Sequence, residues 1–179
     1  QTEGKLSLDD NLGKWLPQYT QWKKVTLRQL LNMTSGIPNY SEDKEFGQKM
    51  EADLTRAWTD EELLSYAHPE KPLAKERENL YEYSNSNYNL LGYIIEDITG
   101  KSYVDNLNSR IIKKLGLKNT ALPEKIDVSK NEGYSFSFDG KVWEKIPEWN
   151  NTLAFAAGAI SSTPSDLTTF LYGLFNDKL

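Results

Sequence analysis

Apolar residues recur at helical spacing along most of the chain. The clearest case is Leu90, Leu91, Ile94, Ile95 and Ile98, one stripe of a helix for which Ser86 is the expected N-cap and Gly100 the closing residue. Upstream, Leu6, Leu8, Leu12 and Trp15 predict a turn and a short helix within Lys5 to Pro17. Thr26-x-x-Gln29 is a capping box opening a helix with Leu27, Leu30 and Leu31 inward, and it ends before Thr34-Ser35-Gly36 and Pro38. Phe46, Met50 and Leu54, four apart, predict a charged helix from Ser41 to about Trp58. Thr59-x-x-Glu62 starts another, which stops near His68-Pro69. Lys71 to Leu80 is a charged loop, and Tyr81-Glu82-Tyr83 alternates as extended chain does.

Beyond Gly100, Ser102-x-x-Asp105 opens a helix with Leu107, Ile111 and Leu115 on its inner side and Gly116 after it. The period then changes from helical to two. Tyr134, Phe136 and Phe138 alternate with serines, and Asp139-Gly140 leads into Val142 and Trp143, a hairpin signal because Asp-Gly suits a tight primed turn. A small-residue stretch, Ala154 to Ser162, precedes a last helix capped by Thr163, with Pro164 at its first position and Leu167, Phe170, Leu171 and Leu174 on one face. The pattern is a mainly α unit with a small β-hairpin, without internal repeat or linker. Gly4 reads as the closing residue of a helix whose body lies upstream, so residues 1–179 are expected to form a single partial domain of a longer polypeptide.

Composition narrows the chemistry. The 179 residues are 38% hydrophobic, enough for a core without disulfide or metal staples. A net charge of −5 argues against a nucleic-acid partner, which would demand a basic footprint. No stretch approaches the roughly 18 consecutive apolar residues of a membrane-spanning helix. With no cysteine and one histidine, thiolate nucleophiles, thiolate metal sites and multi-histidine metal sites are excluded.

The chemistry-bearing motif is Tyr83-Ser84-Asn85, where an extended piece meets a helix N-terminus. A phenol can move a proton, and an amide two residues on offers both donor and acceptor to a peptide bond. Alone, such a triplet reads by default as a surface turn with a helix cap. Its setting, however, runs Tyr83-Ser84-Asn85-Ser86-Asn87-Tyr88-Asn89-Leu90-Leu91-Gly92-Tyr93, followed by Thr99-Gly100-Lys101-Ser102-Tyr103. This resembles the central block of the penicillin-recognising serine hydrolases, the superfamily of class C β-lactamases, serine D-Ala-D-Ala carboxypeptidases and related esterases. Gly4 to Asp10, Leu30-Leu31-Asn32-Met33-Thr34-Ser35-Gly36-Ile37-Pro38, Ile111 to Thr120, and Ala156-Ala157-Gly158 through Leu167 resemble further blocks of that family in the same order.

The resemblance implies the helical domain of the β-lactamase/penicillin-binding-protein fold, lacking most of the α/β sheet domain. It implies Tyr83 as the proton-handling residue and Asn85 as the contact to the substrate amide, with Ser84 and the loop around Asn151 behind them. The parent would be a bacterial protein exported to the periplasm or cell surface. It would act through an acyl-enzyme on a peptidoglycan-type D-alanyl peptide, a β-lactam or an ester, with no metal or organic cofactor. Two elements of the family are missing here: a Ser-x-x-Lys nucleophile helix, placed before residue 1, and a Lys-Thr-Gly or His-x-Gly strand, placed after residue 179. The cations that would turn a phenol, ordinarily titrating near 10, toward base chemistry lie with them. The chain itself is therefore expected to be inactive. Its partner is expected to be the missing remainder of the same domain, or a second copy through the apolar face left bare.

The departures from the family pattern are instructive. Ser41-x-x-Lys44 has the spacing of a nucleophile pair but lies after the Thr-Ser-Gly block among Glu42, Asp43 and Glu45, and it reads as a solvated helix start. His68 is followed by Pro69-Glu70, and Ser129-Lys130-Asn131 lies in a loop after the wrong helix. The segment Lys71 to Asn79 lacks the Pro-Gly-Thr-like turn that commonly precedes the Tyr-x-Asn block. Trp15, Trp22, Trp58, Trp143 and Trp149 read as packing residues rather than a carbohydrate platform, and Asn32, Asn39 and Asn150 head glycosylation sequons by pattern only. Two other readings stand beside the hydrolase. One is a non-catalytic binding or regulatory relative that kept the scaffold; the other is a free-standing helical interaction domain.

Overall fold

The computed structural model describes residues 1–74, 80–124, 136–138, 143–145 and 150–179, with backbone alone for 136–138 and 143–145. Its axis is helix α5 (Asn85–Thr99), against which α1 (Leu12–Trp15), α2 (Leu27–Leu31) and α4 (Asp60–Ser65) pack. Helix α3 (Lys44–Ala52) lies beyond a 3₁₀ turn at Tyr40–Glu42. The apolar stripe accounts for the central position of α5, since Leu90 and Ile94 are fully buried among Leu12, Trp22, Leu27, Leu30, Ile37, Leu63 and Leu64. An aromatic cluster closes one side: the ring of Phe46 lies 5.3 Å from Tyr40, 4.9 Å from Trp58 and 5.7 Å from Tyr66.

Local chemistry sets the element ends. Thr26 and Gln29 complete their capping box, and Thr59 caps α4 by accepting from the Glu62 amide. Glu62 does not complete that second box, because its carboxylate is engaged by Arg56 at 2.7 Å. The helix expected from Ser41 to Trp58 is shorter. It starts after Asp43, whose carboxylate caps it, and stops at Ala52. There Asp53 turns the chain by accepting from the Thr55 amide and hydroxyl, at 2.9 and 2.8 Å. Trp58 thereby folds back onto Phe46. Helix α5 also begins earlier than Ser86: Ser84 holds the cap position without a side-chain cap bond, and Ser86 lies within the first turn.

After Gly100, in the left-handed region at φ 63°, α6 (Tyr103–Leu107) runs through a π turn at Asn108–Ile112 into α7 (Lys113–Leu115). Leu107, Ile112 and Leu117 form a second small core. Helix α8 (Pro164–Phe175) is tied to it by the buried Asp166, which accepts from the Asn119 amide at 2.7 Å and the Thr120 hydroxyl at 2.8 Å. Strands β1 (Phe136–Phe138) and β2 (Trp143–Lys145) pair antiparallel, Phe138 opposite Trp143 and Phe136 opposite Lys145. The Asp139-Gly140 turn lies outside the described residues, as do Ser129-Lys130-Asn131, Trp149 and residues 75–79 of the charged loop. Among the described residues no helix is long and apolar enough to cross a membrane.

The covering of α5 is uneven. Leu91, Ile95 and Ile98, on the same stripe as Leu90 and Ile94, are only half-buried. They line two adjoining grooves, of about 340 Å³ under Leu6, Ile98 and Tyr103, and about 320 Å³ under Leu8, Leu27, Leu31 and Tyr88. Leu167, Leu171, Tyr172 and Phe175 of α8 are also exposed.

Where α5 crosses the small-residue stretch, the fit is tight. A Cβ on Gly92 would sit 2.7 Å from the Ala156 Cβ and 2.8 Å from the Phe155 ring. Phe155 is held at φ 42°, a costly conformation for an aromatic residue, with its ring stacked 5.3 Å from Tyr93. Gly92→Ala is therefore expected to lower stability by about 1–3 kcal/mol in urea unfolding. A second expectation concerns Asp60, at the start of α4. Burial, reinforced by Glu96 and Glu61, pushes its carboxyl up to about 6. The folded state thus holds this proton more tightly than the unfolded chain does. Stability falls as pH rises from about 4 through about 6, and Asp60→Asn removes that part of the slope when melting temperature is followed against pH.

Candidate active site

The site is built where the segment from Met33 to Ser41 meets the first turn of α5. Met33 is itself in the left-handed region at φ 58°, and its carbonyl accepts from the Glu82 amide at 2.8 Å. Buried Ser35 donates to Asn87 Oδ1 at 2.7 Å and accepts from the Ile37 amide at 3.0 Å. Asn87 Nδ2 in turn donates to the Met33 sulfur at 3.4 Å. Three residues after Ser35, the Pro38 carbonyl accepts from both Ser84 and Ser86 hydroxyls, at 3.2 and 2.7 Å, and Ser86 Oγ accepts from the Tyr40 amide at 3.1 Å. Burial is the main reason the Tyr40 phenol is pushed up to about 12; the Asn89 amide pulls the other way and Tyr83 adds to the rise. Tyr40 stays protonated and donates to the Leu153 carbonyl at 2.6 Å.

This seam presents Tyr83 and Asn85 at the surface. Tyr83 is about half exposed, at 51%, and its hydroxyl donates to Asn85 Oδ1 at 2.8 Å. Tyr81-Glu82-Tyr83 forms no strand, but a spacing of two where extended chain enters α5 does bring phenol and amide together. Ser84, between them, is turned inward and buried. The loop around Asn151 is not part of the arrangement: its buried amide donates to the Pro123 carbonyl at 3.1 Å. His68 pairs with Asp43 at 3.2 Å and Glu70 at 3.5 Å.

Two residues at the site were not legible as such. Asn85 Nδ2 donates to the Ser41 hydroxyl at 3.0 Å, and Asn39 Oδ1 accepts from the Ser41 hydroxyl at 3.0 Å and from the Asn85 amide at 3.1 Å. Ser41, set aside for its charged flanks, thus lies beside the pair, while Lys44 is exposed on α3. The signal that could have found Asn39 is the Asn-x-Ser turn after a proline, in which an Asn oxygen caps the amide two residues on. That bond is present at 3.3 Å. Of the sequon asparagines, Asn39 is engaged here and Asn150 is buried, whereas Asn32 is exposed.

A mainly helical unit with a Tyr-x-Asn pair at the head of its central helix fits the serine-hydrolase fold of the penicillin-recognising class. The beta-lactamase family model matches residues 1–179, and the chain belongs to that family. Among solved structures it is similar to a D-stereospecific amidohydrolase from Streptomyces sp., at 33% identity and a TM-score of 0.87, covering 97% of this chain and 55% of that one. It is also similar to a D-amino acid amidase from Ochrobactrum anthropi, at 30% identity and a TM-score of 0.81, covering 99% and 50%. Among curated relatives, protein flp of Staphylococcus aureus is 33% identical over 77% of this chain. Penicillin-binding protein 4* of Bacillus subtilis is 28% identical over 98% of it. The chain spans 27% and 41% of the length of those two relatives.

The seam should matter energetically. Asn87→Ala leaves the buried Ser35 hydroxyl without its acceptor, and urea unfolding is expected to show a loss of about 1–3 kcal/mol.

Proposed function

We propose that this chain is the helical part of a serine hydrolase that works through an acyl-enzyme. The observation carrying the reading is the Tyr83 hydroxyl bonded to Asn85 at the exposed head of α5. In the proposed reaction a serine oxygen adds to the substrate acyl carbon, and the bond to the leaving amine or alkoxide breaks as that group takes a proton. Water then cleaves the resulting ester. Tyr83 handles the proton, and Asn85 meets the substrate amide with the donor and the lone pair that its present bonds leave over. The nucleophilic serine with its lysine, and the Lys-Thr-Gly or His-x-Gly strand, are supplied from outside residues 1–179, so the chain alone is inactive.

The substrate is a D-alanyl peptide, a β-lactam or an ester. Similarity at 30% identity or more to two proteins named for action on D-configured substrates supports a D-amino acyl group. The protein works without metal or organic cofactor, in the periplasm or at the cell surface of a bacterium. The remainder of the domain covers the half-buried Leu91, Ile95 and Ile98, and without it this face drives self-association.

The test is made in the full-length polypeptide with a D-alanyl amide or ester. Tyr83→Phe is expected to lower kcat/KM by about 10²–10⁴-fold while the melting temperature holds. The 179-residue chain alone should take no stable label from a fluorescent penicillin. Wild-type activity in Tyr83→Phe, or a label on a serine of the 179-residue chain, overturns the reading. A full-length protein without Ser-x-x-Lys and without turnover is instead the non-catalytic relative.

A further inference from the structure

Five polar side chains run in a line from the phenol to a carboxylate, joined by four bonds in which each donates to the next. Tyr83 donates to Asn85 Oδ1 at 2.8 Å, Asn85 Nδ2 to Ser41 Oγ at 3.0 Å, Ser41 to Asn39 Oδ1 at 3.0 Å, and Asn39 Nδ2 to Glu42 Oε1 at 3.2 Å. An Asn amide and a Ser hydroxyl can each be turned either way, so such a line normally has no fixed direction. Here the direction is forced. The backbone amides of Ser41 and Asn85 both point at one atom of Asn39, at 3.3 and 3.1 Å, and a backbone N–H can only donate. That atom must be the carbonyl oxygen, which places the Asn39 amide nitrogen toward Glu42. Facing an acceptor, the Ser41 hydroxyl must aim its single proton at Asn39, leaving a lone pair toward Asn85. Asn85 must then present its nitrogen to Ser41 and its oxygen to Tyr83.

Resting on the proposed hydrolase, we infer that Asn39 and Ser41 are positioning residues that fix the polarity of the Tyr83–Asn85 pair through this chain of bonds. The outcome is chemical. The phenol proton is held on Asn85 Oδ1, so the lone pairs of the phenol oxygen face the open side, where they can accept a hydrogen bond. Asn85 keeps one N–H and one lone pair of known placement for the substrate amide. Ser41 neither attacks nor touches the acyl group. It acts through Asn85.

The inference separates from the structural role of the seam through a hydroxyl swap at an exposed position. In the full-length enzyme Ser41→Ala frees the Asn85 amide to turn. It is expected to lower kcat/KM for a D-alanyl p-nitroanilide about tenfold, to move its pH profile, and to leave the melting temperature nearly unchanged. Ser41→Thr, which keeps the hydroxyl, is expected to restore activity to within about twofold of wild type. Equal activity in wild type and Ser41→Ala overturns the inference, as does a Ser41→Thr no better than alanine. If the wild type turns over nothing, the hydrolase reading has failed, and the relay is judged by hydrogen exchange at the Asn85 side-chain amide in ¹⁵N-labelled protein. Ser41→Ala accelerates that exchange and Ser41→Thr does not if the relay stands. Unchanged exchange in Ser41→Ala overturns it.

Discussion

The Pro38 carbonyl receives two hydroxyls, from the cap residue and the first turn of α5, and the rest of the site depends on that bond pair. Proline has no amide hydrogen and fixes its own φ, so at this point the loop can offer only an acceptor. Serines at 84 and 86 supply the donors. Because the seam is buried, each of these groups must be paired, which gives the loop one workable register against the helix. Tyr83 and Asn85 alternate with those serines and are therefore turned outward. Their exposure follows from the inward engagement of their neighbours.

Much of the architecture was legible in the sequence because it is written locally. The Thr26 and Thr59 caps, the α5 stripe, Gly100 and the Thr163-Pro164 start each depend on residues within a turn or two. The errors came where distant partners decide. Phe46, Met50 and Leu54 keep helical spacing past the end of α3, because spacing encodes neither the turn that Asp53 makes with Thr55 nor the packing of Trp58 on Phe46. Ser86 reads as a cap by type, yet its hydroxyl is taken by Pro38, 48 residues away.

The candidate site divides in the same manner. Tyr83 and Asn85 are neighbours along the chain, so their pairing could be read from spacing. Asn39 and Ser41 lie more than 40 residues earlier, and their part depends on hydrogen-bond direction, which spacing does not encode. The acidic flanks of Ser41 signal solvent, and Ser41 is exposed. One of those flanks, Glu42, closes the relay.

The Tyr40 hydroxyl reaches the Leu153 carbonyl across 113 positions of chain, and Asn39 meets Asn85 across 46. Bonds that close such long loops are made late in folding, since the entropy of closure is spent before they return anything. Helices α1 and α2, held together by backbone bonds between residues 10–13 and 23–27, can be in place while the Tyr83 phenol still moves freely in solvent. The Asn39–Asn85 contact that fixes the phenol–amide pair is thus expected at the end of assembly, so a nascent or nicked chain that holds most of its helices still lacks a fixed Tyr83–Asn85 geometry.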